Sequence, residues 1–312
     1  MYDIGPALQQ ASKHSQPVLL LGETGTGKSY LAKCIHDNSE RAGRPYYGLN
    51  IARLRPGTAE SELFGHERGA FTGAIGTKRG IFELYTGGTV LLDEIGKIDL
   101  TLQAMLHTFL DKYRFTRVGA EEETEANVRI ISATNENLEK KIEAGTFYVD
   151  LYYRLAKQVI AIPPLRERRE DIPLLIIVLL NKICTNKEYT FPDISRSALY
   201  KLCTHKWQGN IRELEGALEM ALVRADGNSI LDDHIELDSK GVNIQIAKAK
   251  RPSKTLTDKE LDDIIVRIDE NDEKIAPIAR GYPMDRSHLS RQIAARRKKL
   301  GQSQPHTHRS GT

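Results

Sequence analysis

Four short apolar runs punctuate the first half of the chain, and each leads into polar or glycine-rich sequence. They are Val18-Leu19-Leu20-Leu21, Tyr46-Tyr47-Gly48-Leu49-Asn50-Ile51, Val90-Leu91-Leu92-Asp93-Glu94 and Val128-Arg129-Ile130-Ile131-Ser132-Ala133-Thr134-Asn135. Short, nearly continuous hydrophobicity is the pattern of strands buried on both faces. Tyr30-Leu31-Ala32-Lys33-Cys34-Ile35 instead spaces its apolar residues as a helix does, and residues 1–16 read as a helix or strap. A helix is expected over 150–155, ended by Pro163-Pro164. Strands alternating with helices predict an α/β fold with a parallel sheet sandwiched by helices, over residues 1–170. Beyond it the apolar period is helical only, over 174–183, 195–205 and 210–224, which predicts an all-α lid subdomain over 171–238.

Residues 239–255 are polar and basic without periodicity and read as a linker. Thr257-Asp258 can cap a helix to about residue 270, a second short helix fits 273–280, and Gly281-Tyr282-Pro283 makes a turn. A final basic helix over 285–300 completes a helix-turn-helix pattern within 256–301, and 302–312 reads as a disordered tail. In such a module Ser287, His288, Arg291 and Gln292 would read bases, and the run Arg296, Arg297, Lys298, Lys299 would meet phosphates.

Charge supports that division. Residues 240–312 carry 16 Lys and Arg against 9 Asp and Glu, whereas the rest carries 29 against 33. A basic segment on a mildly acidic body suggests a nucleic-acid module, with a solvated basic tail as the plain alternative. Cys34, Cys184 and Cys203 have no C-x-x-C spacing, which argues against a disulfide framework and against structural zinc. The absence of a membrane-length apolar run or a secretory pattern predicts a cytoplasmic protein with no membrane partner.

The candidate chemistry sits where the apolar runs end. Gly22-Glu23-Thr24-Gly25-Thr26-Gly27-Lys28-Ser29 joins the first strand to a helix, the context in which G-x-x-x-x-G-K-S binds phosphate. Backbone N–H groups and the helix N-terminus would cradle ATP, Lys28 would reach the β- and γ-phosphates, and Ser29 would ligate Mg²⁺. Asp93 would hold Mg²⁺ as well, and Glu94 would polarise the attacking water. Asn50 ends a strand at the ligand crevice, though a lone Asn is equally a turn former. Arg212 could reach back to a nucleotide or pair with Glu215 or Glu219 on its own helix. Arg154, a lone arginine, could be catalytic or simply salt-bridged. Gly69-Ala70-Phe71-Thr72-Gly73-Ala74 forms a flexible turn with an apolar tip, which fits a contact loop and a packed turn equally well.

Taken together, GETGTGKS at 22–29, ELFGHERGAFTGA at 62–74, GGTVLLDEI at 87–95, SATN at 132–135, DLYYRL at 150–155, PPLRERREDI at 163–172 and WQGNIREL at 207–214 resemble the sigma-54-dependent transcriptional activators, or bacterial enhancer-binding proteins, of the AAA+ superfamily. The resemblance covers about residues 3–238. It implies a ring-forming ATPase, hexameric by analogy, that hydrolyses ATP to remodel the closed complex of sigma-54 RNA polymerase while bound to enhancer DNA. By the same resemblance residues 69–74 contact sigma-54, Asn50 is a switch, Thr134 and Asn135 are the first nucleotide sensor and Arg212 the second. Arg154 falls where the family places an arginine finger acting on the neighbouring subunit.

Tyr148 stands where the family usually has a second arginine, Gln208 replaces a proline, and Pro277 interrupts the first terminal helix. Only 21 residues precede the phosphate loop, so a separate regulatory protein is expected to restrain the engine unless the chain is a fragment. Two other readings stand beside the activator: a DNA-binding adaptor with weak turnover, suggested by Tyr148, and an AAA+ remodeller of another client. ATP turnover separates the first from the activator, and capture of sigma-54 separates the second.

Overall fold

The protein was analysed as a computed structural model, which describes residues 4–237, except 55, 56, 188 and 227, together with 262, 293 and 296. The chain divides into two compact units, Met1–Ser239 and Lys240–Thr312. The first unit opens with α1 (Gly5–Lys13), β1 (Val18–Leu21), α2 (Lys28–Asp37) and β2 (Tyr46–Asn50). It continues through α3 (Ala59–Phe64), β3 (Gly65–His66), β4 (Lys78–Arg79), α4 (Ile81–Leu84) and β5 (Thr89–Asp93). Next come α5 (Leu100–Lys112), β6 (Arg114–Thr116), β7 (Glu123–Glu125) and β8 (Arg129–Thr134). After α6 (Leu138–Glu143), α7 (Val149–Leu155) and β9 (Gln158–Ala161) come the lid helices α8 (Ile172–Lys187), α9 (Arg196–Thr204) and α10 (Asn210–Ala225), with short 3-10 turns around them.

Five parallel strands form the sheet in the order β2-β5-β8-β1-β9. The pleat sends successive residues to opposite faces, which explains the near-continuous apolar runs. Leu19, Val90, Leu92 and Ile130 join the larger core under α5 and α7, while Val18, Leu20, Leu91 and Ile131 face α1 and α2. Phe109 anchors the larger core: fully buried, it stacks on Phe82 at 4.3 Å and meets Phe64 edge-on. A separate core over 165–237 gathers Ile176, Leu180, Trp207, Leu214 and Leu218 between α8, α9 and α10. Among the described residues no helix is long and apolar enough to cross a membrane.

In the second unit Asp262, Ile293 and Arg296 are helical, and Ile293 is buried. Arg296, expected at phosphate, forks onto Asp262 through Nε at 2.8 Å and Nη2 at 2.7 Å. Two N–H donors on one edge of that guanidinium are thus engaged within the unit. The readings for Ser287, His288, Arg291, Gln292 and Arg297, for the linker and for the tail lie outside the described residues.

Candidate nucleotide site

Parallel strands bring the ends of β1, β2, β5 and β8 to one edge of the sheet, so four stretches distant in sequence converge there. Register places Asn50 beside Asp93, and Asp93 beside Ala133. Between β1 and α2 the loop turns through left-handed conformations at Gly25 (φ 82°) and Gly27 (φ 97°), which glycine adopts without a Cβ clash. Lys28 curls back over the loop, donating to the Gly22 carbonyl at 2.8 Å and the Glu23 carbonyl at 3.0 Å. Burial pulls its pKa down, while Asp93 and Glu94 push it up and Arg212 pulls it down again. All three charged groups are therefore within electrostatic reach of the Lys28 ammonium.

Ser29 Oγ donates to Asp93 Oδ2 at 3.3 Å, which sets two hard oxygen donors side by side, a donor set suited to Mg²⁺. Glu94 takes a left-handed backbone (φ 61°), costly for a residue with a Cβ and held by the following turn. Its Oε2 is buried without a hydrogen bond, 3.2 Å from the Lys97 ammonium, and Asn50 Oδ1 is likewise buried and unpartnered. The unpartnered Asn50 oxygen and the Glu94 carboxylate, paired with Lys97, are acceptors to which a water hydrating a bound phosphate would donate. ATP thus fits the residues present.

The two sensor candidates face different ways. Asn135 donates to Thr24 Oγ1 at 2.9 Å, on the loop. Thr134 is fully buried and its hydroxyl accepts from the Glu136 N–H at 3.0 Å, so its side chain turns inward. Glu215 and Glu219 pair with Lys182 and Lys187, which leaves Arg212 exposed at the first turn of α10, its Cβ against Gly25. Of the two sequence alternatives for Arg212, pairing with Glu215 or Glu219 on its own helix is not formed. The Glu23 side chain points to the lid: its carboxylate is held by Arg166 at 2.6 and 2.8 Å and by Asn210 at 3.1 Å, which leaves only its backbone to face a nucleotide. The Arg166 hydrogen bonds hold the Glu23 pKa below its usual value.

Arg154 lies elsewhere. It pairs with Asp111 and lines a cavity of about 730 Å³ with residues 15–17, Val128 and Lys157, which precede β1, β8 and β9. That is the opposite edge of the parallel sheet, so Arg154 cannot serve the nucleotide loop of its own chain. Tyr148, at the N-cap of α7, is 42% exposed.

The 69–74 loop closes on itself through the Gly69 N–H to Ala74 carbonyl bond of 2.9 Å. Phe71 and Thr72 are exposed, and Phe71 leans on His66 with ring centroids 4.9 Å apart. The base of the loop is fixed by Arg117, which donates to Glu67 at 2.6 Å and to both Glu83 oxygens at 3.0 to 3.2 Å. This tie was not apparent in the sequence, because its partners Glu67 and Glu83 lie 50 and 34 residues away.

A strand–phosphate loop–helix on a parallel sheet, carboxylates ending β5 and a helical lid define a AAA+ nucleoside-triphosphatase. Residues 1–161 match the sigma-54 interaction domain and residues 166–250 match the AAA+ ATPase lid domain. The chain belongs to the sigma-54 interaction domain family of AAA+ ATPases. It is 44% identical to the Nif-specific regulatory protein of Azotobacter vinelandii over 82% of this chain and 49% of that protein. It is also 44% identical to the regulatory protein AtoC of Escherichia coli (strain K12), over 73% of this chain and 49% of that one. The crystal structure of NtrX from Brucella abortus in complex with ADP superposes with a TM-score of 0.69 at 28% identity, covering 93% of this chain and 66% of that chain. The chain spans about half the length of the curated relatives it matches.

Proposed function

We infer that this chain is the motor of a sigma-54-dependent transcriptional activator: it hydrolyses ATP and uses the energy to remodel sigma-54 RNA polymerase from the closed toward the open promoter complex. The observation that carries this reading is an exposed Phe71-Thr72 tip on a loop with an anchored base, in the same subdomain as a complete phosphate site. Lys28 and the loop amides would hold the phosphates, Ser29 and Asp93 would hold Mg²⁺, and Glu94 would orient the attacking water. Mg²⁺ would neutralise charge developing on the phosphoryl oxygens. Asn50 and Asn135 would contact the terminal phosphate or its water, and Arg212 would meet it from the lid. The placement of Arg154 at the far edge supports action on a neighbouring copy, hence a closed ring. The basic second unit would hold that ring on enhancer DNA.

Two variants test the coupling. Glu94→Gln is expected to bind ATP but lose turnover by roughly 10² to 10³-fold. Thr72→Ala is expected to hydrolyse ATP normally yet fail to capture sigma-54 in the presence of a transition-state mimic. Loss of hydrolysis in Thr72→Ala with assembly intact would make the loop a structural element and overturn the assignment. The adaptor reading draws on Tyr148 alone, and it takes precedence if the wild type binds ATP without turnover.

A further inference from the structure

The four loop residues that precede Gly27 are each bonded to the lid. Arg166 forks onto the Glu23 carboxylate. Asn210 donates through Nδ2 to Glu23 Oε2 at 3.1 Å and to the Thr24 carbonyl at 3.0 Å. The Ile211 N–H reaches the Gly25 carbonyl at 2.9 Å, and Arg168 reaches the Thr26 carbonyl at 2.9 Å. Asn210 is the hub. It is fully buried, adopts a left-handed backbone (φ 56°), and its Oδ1 accepts the Leu165 N–H at 2.7 Å. All the polar capacity of its amide toward the loop and the lid entry is thereby used, which is the arrangement that rigidifies a buried polar network. Contact is so close that a Cβ on Gly25 would stand 2.3 Å from the Gly209 carbonyl oxygen.

Two residues beyond this hub, Arg212 projects from the first turn of α10 with no partner among the described residues, and its charge acts on Lys28. A long flexible side chain that ends in solvent has many rotamers, so its usefulness depends on where its Cα is held. We propose that Glu23, Arg166 and Asn210 are positioning residues: they lock the N-terminus of α10 onto the phosphate loop and so aim Arg212 at the phosphates of bound ATP. The proposal rests on the reading of this site as an ATP site and assigns the Glu23 side chain to orientation. Lid and loop then move as one body, and any opening of the lid must carry the phosphate loop with it or break this set of bonds.

The test is a double-variant cycle on the full chain, read by the affinity for a fluorescent ATP analogue and by ATP turnover. Arg166→Met is expected to weaken ATP binding on the order of tenfold in the wild-type background. In an Arg212→Ala background the same change is expected to move binding by less than about twofold, because the residue being aimed is gone. Arg166→Lys, which keeps the charge but loses the fork, should fall between. Thermal midpoints of all variants show whether the lid is folded, and Glu23→Gln supplies a second break if Arg166→Met is not. If the losses from Arg166 and Arg212 multiply independently in folded variants, the clamp is a structural tie only and the proposal is overturned. A wild type that binds ATP without turnover overturns the motor reading alone, and the clamp is then judged on affinities. A wild type that does neither overturns both.

Discussion

Glu23 shows how far a motif locates chemistry and where it stops. The phosphate-loop spacing identifies Lys28 and Ser29 because their roles follow from backbone shape, and Asp93 and Glu94 follow from a strand that ends in carboxylates. Nothing in that spacing says which way the Glu23 side chain turns, since its partners lie more than a hundred residues away. The lid stretches PPLRERREDI and WQGNIREL hold those partners, Arg166 and Asn210, and their roles appear only when the fold brings them to the loop. A consequence follows for acid stability. Arg166 lowers the folded-state pKa of Glu23, so the tie contributes stability above the unfolded carboxylate value of about 4.5 and loses it as pH falls through the lower folded value. Thermal midpoints measured between about pH 3 and 6 are expected to drop more for the wild type than for Glu23→Gln. Parallel profiles for the two proteins would show that the pair adds nothing to stability.

At the scale of elements, period and punctuation located the strands that carry the site and the helices of the lid. They missed β9, an edge strand of four residues with a single buried side chain, Ile160, too short and too exposed for a clear pattern. The antiparallel pairs β3-β4 and β6-β7 escaped as well, being two and three residues per strand. Those small pairs matter because they frame the 69–74 loop, and the aromatic core beneath them supports the frame. Phe109 on α5 lies within 6.0 Å, centroid to centroid, of Phe115 on β6. Phe109→Ala is expected to cost about 3 to 5 kcal/mol, read by chemical denaturation. A loss below about 1 kcal/mol would show that the neighbouring rings close the gap.

For the whole molecule, the position of Arg154 is the informative quantity. As a lone arginine it could be catalytic or salt-bridged, and the DLYYRL resemblance implied an arginine finger. The fold adds that it pairs with Asp111 on the sheet edge away from Lys28. If a neighbouring copy supplies its nucleotide, specific ATPase activity should rise cooperatively with protein concentration, and Arg154→Ala should abolish that rise. A rate per subunit that is flat with concentration would mean that each chain works alone. The bonds between loop and lid have one more implication, for biosynthesis. Glu23 and Asn210 are 187 residues apart, so at roughly 5 to 20 residues per second the ribosome completes the loop some 10 to 40 seconds before its partner exists. Through that interval Lys28, Asp93 and Glu94 are synthesised in turn while the loop lacks its brace. The nascent chain therefore acquires its finished nucleotide site only with the last helix of the lid.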